Sequence, residues 1–567
     1  MSIESKLIKT TCPLCLYGCE LPIKVENRGD FILRKNEYNP QSAVNQGRLC
    51  ARGNAAKVIL DHKKRLTSPL FNNKNIDWVI ALSQIKRQLK GFSPGEIAIT
   101  YDINNTLEEI TSIFSFAQEL RVDLVSRSYL EPEAFFSYTP GEVKYAELKD
   151  IEQSKVLLVI GDIFSKIPLI SKPILDAKYA DRNNRLYYID SVKTRFAGFA
   201  NKFLWTKPGT EPLLILGLIA AMGKSAREVL GDKNFIGIRK IMPKIVEICG
   251  IVEQDIEEIA QSFSTIPKGV ILASMDFGKT DNPLLFSLLA QLLSMVTPGD
   301  KMFISPALAS VPIGKNGFGE VIERINQNKV KGLINFGNNF PCDYPEITPH
   351  LKNLSLFVTT SIFGQSLPIT GWTLPVPSLL EKTGTINTLW GKDTIQPLAE
   401  PVNGSKHIFD IIEHISSGNE SKFKPRIINK SIININDIIG NALDYIETRS
   451  VGEAQVSQQK SNGNELIVLG EESAFGYRGI FENNANQLKI NPITAQKQDI
   501  KSGDSVKLII NDKEKEFIAN ITPSVPIDAI SISVDTSDNR ILFPIQIDSI
   551  TKEVIIPPIK GRLSKVN

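Results

Sequence analysis

Three cysteines crowd into the eight residues CPLCLYGC over 12–19, and a fourth, Cys50, follows after thirty intervening residues. Cys12, Cys15 and Cys19 thus read C-x2-C-x3-C. Thiolates are soft ligands that select zinc or iron-sulfur iron, and a compact loop bringing three together with a fourth from elsewhere suits a cubane. Structural zinc prefers two similar C-x2-C pairs, and here the second pair is missing. Gly18 can supply backbone freedom next to Cys19, and Pro13 can stiffen the turn. The reading is a 4Fe-4S cluster held by Cys12, Cys15, Cys19 and Cys50, and hence a part in electron transfer. Cys249 and Cys342 stand alone and carry no assigned role.

At 567 residues the chain exceeds what one hydrophobic core can serve, so several domains are expected. A formal charge of +3 over this length gives no electrostatic reason to expect nucleic acid or membrane partners. No apolar run approaches a membrane span, and the start, MSIESKLIKTTC, lacks a secretory layout, so the expectation is a cytoplasmic protein. In a reducing compartment, clustered thiols are metal ligands or catalysts more often than bridges.

CPLCLYGC, then GRLCARGNAAKVIL over 47–60, then KKRLTSPL over 63–70 resembles the opening of the molybdopterin oxidoreductase superfamily. That family includes formate dehydrogenase catalytic subunits, nitrate reductases, formylmethanofuran dehydrogenase and the large iron-sulfur subunit of respiratory complex I. The resemblance implies a small four-iron domain and, in catalytic members, molybdenum or tungsten held by bis(molybdopterin guanine dinucleotide). It also implies a basic residue between cluster and pterin, two positions after the fourth cysteine. Here that residue is Arg52, where Lys is commoner in the family.

The likeness continues along the chain. VLLVIGDIF over 156–164 looks like a buried strand ending in a nucleotide loop, with Gly161 and Asp162. LYYIDSVKTRFAGFANKFLWTKPGTEPLL over 186–214 resembles a family pattern carried by Asp190, Ser191, Thr194, Arg195, Pro208, Gly209, Thr210 and Glu211. GLINFGNNFP over 332–341 looks like a second dinucleotide loop, with Gly337, Asn338 and Asn339. LPVPSLLEKTGTINTLWGK over 374–392 resembles the segment after it and offers Gly384 and Thr385. LKINPITAQKQDIKSGDSVKLII over 488–510, with Asn491, resembles a small barrel that caps the cofactor. Read from the residues alone, VLLVIG and LYYID suit central parallel strands whose C-terminal ends face a ligand crevice.

The pattern breaks at VDLVSRSYLEP, 122–132. In the formate dehydrogenase branch a Cys or selenocysteine there ligates the metal. Val122, Asp123, Arg127 and Pro132 line up with that stretch, but Tyr129 takes the ligand position, and a phenol with an ordinary pKa near 10 stays protonated. Ser126 and Ser128 are alternative oxygen ligands by analogy with other branches, although a serine on a loop is more often a plain polar or capping residue. His62, His350, His407 and His414 are scattered, none at metal-ligand spacing. GKNGFGE over 314–320 lacks the Walker ending and reads as a flexible connection.

The expected fold is a multidomain α/β architecture of the formate dehydrogenase/DMSO reductase type. A 4Fe-4S domain occupies 1–68. One α/β dinucleotide-binding domain comes from 69–135 plus 325–430, and a second from 136–324. A linker fills 431–464, its polar end 447–464 exposed, and a C-terminal β-barrel occupies 465–567. The functional expectation is an iron-sulfur electron-transfer subunit of a redox complex, with its own metal ligand missing. Iron-sulfur or flavin subunits would be partners docking near Cys12 to Cys19. The alternative is an active Mo or W enzyme of the formate or formylmethanofuran dehydrogenase type.

Overall fold

The computed structural model describes residues 4–28, 32–128, 132–276, 278–305, 317–337, 340–416, 431–458, 465–472, 486–511, 513–534 and 536–566. Strands Glu4–Thr11 and Glu20–Asn27 pair antiparallel, and Ile32–Asn36 adds a third strand to the sheet. Thr11 and Glu20 face each other across the first pair, so the three early cysteines form the loop of a hairpin. The Cys12 N–H donates to Cys19 O at 2.7 Å and closes that loop. Gly18 adopts φ +75°, and a Cβ there would stand 2.7 Å from Thr388 Cβ. Only glycine satisfies both the backbone and the contact.

Two parallel sheets follow. In the first, Val156–Ile160 is central, flanked by Arg185–Asp190 and Lys202–Trp205 on one side and by Lys268–Ala273 and Asp300–Ile304 on the other. Val156–Ile160 is buried at every position, as a strand covered by helices on both faces must be. The second sheet runs in parallel from Trp372–Pro375 through Leu356–Ser361, Gly332–Asn335 and Ile97–Tyr101 to Leu124–Arg127. Leu70–Phe71 and Lys74–Asn75 extend its edge antiparallel. Six strands between Glu465 and Lys565 close into a barrel.

Packing joins these units. Cys12, Leu14, Cys19 and Leu21 share an apolar cluster with Leu157, Val159 and Val270 of the five-stranded sheet. Barrel residues such as Leu488, Val506 and Ile530 share another with Ala98, Leu333 and Phe357 of the seven-stranded sheet. The largest core surrounds helices Glu211–Ala221 and Pro283–Val296, which are apolar on almost every side and correspondingly buried.

Two expectations need correction. Residues 435–458, placed in a linker, form one helix, Ile435–Gln458. Ile438, Ile439, Ala442 and Ile446 recur at helical spacing and bury against the core of the two apolar helices, which outweighs the polar composition further along. Within GKNGFGE, residues 314–316 lie outside the described residues, but a Cβ on Gly317 or Gly319 would fall within 3 Å of the Lys552 carbonyl oxygen, and helix Phe318–Asn326 begins there. That end is a packed helix start.

Candidate functional site

The four thiols lie in one neighbourhood. Cys12 and Cys19 are buried, Cys15 and Cys50 half-buried. Cys50 caps helix Ala51–Ala55, its sulfur accepting from Gly53 N–H at 3.4 Å. Burial, reinforced by the charges of the other cysteines, pushes the Cys12 and Cys19 thiols well up; burial also raises Cys15, which Arg52 pulls back down. Thiols held this firmly lose their protons when a metal takes their place. Among the described residues no three His, Cys, Asp or Glu side chains close on a point that one ion could fill. A cubane, which carries its irons at separate corners, takes a wider spread of thiolates than a single zinc with sulfurs at about 2.3 Å.

Hairpin 384–395 supports the cysteine loop from behind. Leu389 N–H donates to Leu16 O at 2.6 Å, Trp390 meets Tyr17 edge-on at 5.4 Å, and Thr11 Oγ1 donates to Asp393 at 2.6 Å. Gly384 and Thr385, expected at a dinucleotide, sit at the other end of this hairpin. A Cβ on Gly384 would touch Thr106 at 2.6 Å, and Thr385 N–H donates to Glu108 at 2.9 Å. Their observed contacts are structural.

Arg52 links the thiols to the five-stranded sheet. Its buried Nη2 donates to the carbonyls of Ser165 at 3.0 Å and Lys166 at 2.6 Å, while its Nε finds no hydrogen-bond partner. An unpaired buried donor beside the thiols fits a sulfur-rich anionic group.

Ser165 and Lys166 belong to the turn that Gly161 opens. Gly161 has φ +78°, and a Cβ would lie 2.1 Å from Ser274 O, so no other residue fits between the two strand ends. Asp162 caps this turn, accepting from Phe164 N–H at 3.1 Å and Ser165 N–H at 3.2 Å. Beyond it lies a buried charge cluster. Lys279 reaches Asp276 at 2.6 Å and Asp190 at 3.7 Å, and Lys166 stands 3.9 Å from both Asp276 and Glu472. Burial, with Asp276 close by, pushes Asp162 up to about 6. Burial also raises Asp190; it would lower Lys279, but the three surrounding aspartates hold that ammonium firmly charged.

This cluster borders a cavity of about 530 Å³ between the C-terminal ends of the five strands and the barrel. Asp162, Thr194 and Arg195 line it, as do Lys193 and Lys279. The barrel contributes Gln487, Lys489, Asn520, Thr522 and Ser531. The volume falls within the range of small-molecule sites, and cations beside hydroxyls and carboxylates suit phosphates and ribose. The barrel lining and the Asp276–Lys279 pair escaped the sequence reading. SMDFGK follows a strand as GDIF does, and that shared position was the available signal.

The other expected residues are dispersed. Asp190 accepts from Val192 N–H at 3.0 Å and Tyr188 OH at 2.8 Å. Ser191 and Glu211 are buried with the Ser191 Oγ and one Glu211 oxygen unbonded, and burial pushes Glu211 up to about 8. The Pro208–Gly209–Thr210 turn is clamped from helix Ile435–Gln458. Tyr445 OH donates to Gly209 O at 2.7 Å, and Arg449 reaches Asp281 at 2.6 Å. Asn491 caps helix Pro492–Lys497 and bonds Val525 O at 2.7 Å, a barrel-internal role. Gly337 packs against Asp102 and Ser128 at the end of the second sheet and borders a small space with Pro13 of the cysteine loop. Asn338, Asn339 and Tyr129 lie outside the described residues. Ser126 and Ser128 are buried, with hydroxyls donated to main-chain carbonyls. No helix among the described residues is long and apolar enough to cross a membrane.

Comparison with known proteins agrees with this layout. Residues 5–62 match the model of the molybdopterin oxidoreductase Fe4S4 domain. The F420-dependent formate dehydrogenase subunit alpha of Methanocaldococcus jannaschii is 27% identical over 67% of this chain and 56% of its own length. The NADPH-Fe(3+) oxidoreductase subunit alpha of Geobacter sulfurreducens is 22% identical over 91% of this chain and 70% of its own. Measured against the formate dehydrogenase subunit, the chain spans little more than half the relative's length. In structure it resembles acetylene hydratase from Pelobacter acetylenicus, with a TM-score of 0.75, 16% identity, and 98% of this chain and 100% of that one covered.

Proposed function

We propose that this chain, whose residues 5–62 match the Fe4S4 domain of molybdopterin oxidoreductases and whose fold resembles that of acetylene hydratase, is a member of the molybdopterin oxidoreductase superfamily and an iron-sulfur electron-transfer subunit of a cytoplasmic redox complex. The observation that carries the reading is Arg52. It stands beside the thiols of Cys12 and Cys15, and its guanidinium is bonded to the turn that opens the 530 Å³ cavity. A group held by the four cysteines and a group held in the cavity would be joined through that side chain.

A 4Fe-4S cluster on Cys12, Cys15, Cys19 and Cys50 supplies one-electron transfer. Around it, Arg52 holds a fixed positive charge, and the Tyr17–Trp390 pair and Leu14 exclude water. In the cavity Lys279, Lys193 and Arg195 would hold the phosphates of a pterin dinucleotide, with Asp162 taking ribose hydroxyls. Two features favour a chain without its own metal chemistry. Tyr129 stands where a Cys or selenocysteine is expected. Arg127, two residues before it, already faces the buried Glu553 carboxylate at 3.6 Å, so its charge is compensated within the protein.

The second reading, an active Mo or W oxidoreductase, is favoured by the cavity itself, whose size and lining suit a nucleotide cofactor. Anaerobic purification followed by metal analysis separates the two. The first expects about four irons and four sulfides per chain and substoichiometric molybdenum and tungsten. Near-equimolar molybdenum or tungsten with released guanine nucleotide would replace it by the second. Zinc in place of iron would end both.

A further inference from the structure

We propose that Ile32, Tyr38 and Val58 form the centre of a docking face for a small acidic electron-carrier protein, joined to Cys50 through Asn54. The inference rests on the electron-transfer reading and adds where the electron enters or leaves and what chemistry the partner presents.

The face is one continuous surface. Ile32, Arg34, Asn36 and Tyr38 alternate along one strand and its extension, so their side chains share a side. Asn54, Val58 and Asp61 recur at helical spacing on the segment that Cys50 caps. The two rows meet through Arg34 with Asp61 at 3.0 Å, Asn36 Nδ2 with Asn54 O at 2.9 Å, and Tyr38 OH with Asn54 Oδ1 at 2.9 Å. Although the polar members are bonded to each other, Ile32, Tyr38 and Val58 remain 50%, 54% and 46% exposed. Asn54 in turn donates to Cys50 O from both its main chain at 3.0 Å and its side chain at 3.1 Å. The inner edge of the patch, Asn54, is therefore one helical turn from Cys50, a half-buried cysteine of the thiol group.

Charge identifies the occupant. Residues 1–68 hold twelve Lys and Arg against six Asp and Glu, although the whole chain is only +3. The cysteine-bearing domain is basic and the remainder acidic. Lys63 and Lys64, which follow Asp61 on the same segment, are exposed, and Asp61, the acidic group within the patch, is paired by Arg34. A small apolar centre in a basic rim suits a transient encounter steered by opposite charge. In such an encounter the carrier gives up or takes one electron, the thiol-held centre changes by the same one, and no bond or proton is exchanged.

The test uses the full chain, purified anaerobically, with its visible absorption recorded first. A colourless preparation counts against the electron-transfer reading, whatever follows. The chain is then cross-linked by carbodiimide to an acidic [2Fe-2S] ferredoxin at low salt, and the linked peptides are mapped by mass. Linkage is expected at Lys57, Lys63 and Lys64. Its yield should fall at least about tenfold in half-molar salt and comparably in Val58→Glu and in Tyr38→Glu. The double variant Lys57→Glu/Lys63→Glu leaves the apolar centre intact and should lose linkage as well, with unchanged circular dichroism. Linkage concentrated elsewhere, no linkage at all, unchanged yield in the variants, or equal capture of a basic cytochrome c would overturn the docking face.

Discussion

Arg52 donates from Nη2 to the carbonyl oxygen of Lys166 at 2.6 Å, and this bond ties the cysteine-bearing domain to the turn that opens the 530 Å³ cavity. The two residues are 114 positions apart. One is the second residue after Cys50, and the other ends a helical turn begun by a strand-end glycine. Their contact makes the thiol group and the cavity parts of one site.

Removing the Arg52 charge should therefore be felt at the cluster before it is felt in the fold. Arg52→Met should lower the cluster's reduction potential by about 50–100 mV, the size of a one-charge interaction of about 1–2 kcal/mol at an effective dielectric near 20. Arg52→Lys should recover most of it. Potentiometric titration followed by electron paramagnetic resonance measures both, and an unshifted Met variant would place the guanidinium too far away to matter.

Cys15→Ser should lose the visible chromophore and most of the bound iron while the sheets and barrel persist. Cys342→Ser, in a thiol bonded to Ser366 O at 3.3 Å far along the chain, should lose neither. Iron and sulfide analysis with circular dichroism distinguishes the two, and retained chromophore in the first would remove Cys15 from the ligand set.

Gly161→Ala forces a Cβ to 2.1 Å from the Ser274 carbonyl at φ +78°. Two central strand ends must move apart, at a cost of at least about 2–3 kcal/mol. Denaturant unfolding reads the loss. Gly198→Ala, where a Cβ meets nothing within 4 Å, is the matched control.

Glu211 gives a pH signature. Burial pushes its carboxyl up to about 8, so near neutrality the folded protein keeps a proton that the unfolded chain has released. Stability is then complete at acidic pH, below the ordinary glutamate range, and declines as pH rises toward 8, where the folded state must ionise a buried group. Glu211→Gln removes the ionisation. It should be more stable than the parent at pH 8–9, by on the order of 1–3 kcal/mol, and equal to it near pH 4. Unfolding curves at several pH values check this; a gap that does not change with pH would contradict it.

Arg449 and Tyr445 make the helix Ile435–Gln458 a clamp on the Gly209 turn, where a Cβ would meet Arg449 Nη2 at 2.4 Å. Arg449→Ala should cost about 1 kcal/mol, since the pair with Asp281 is partly exposed. It should also speed proteolysis within 435–458. Arg449→Lys should restore resistance only in part, because one ammonium cannot reach Asp281, Tyr445 and Gly209 together.

What could be read along the chain was whatever physics makes local. The cysteine spacing is local because the three early thiols lie on one tight hairpin loop, and Gly18 and Gly161 are local because their positive φ excludes a side chain. VLLVIG and LYYID betrayed parallel strands because strands covered on both faces must be apolar throughout. The fold class and the Fe4S4 domain followed from these marks in their order. The rest depended on partners remote in sequence. The helix 435–458 looked like linker because its later half is polar, and only a core assembled from residues 211–221 and 283–296 gave its earlier isoleucines somewhere to bury. Gly384 and Thr385 resembled nucleotide residues, yet the hairpin they begin lies behind the cysteine loop, a contact with Leu16 across more than 370 positions that no local pattern encodes. The cavity has no sequence signature of its own. It exists where strand ends and barrel strands, each folded for its own core, meet without closing, and that gap is a property of tertiary packing alone.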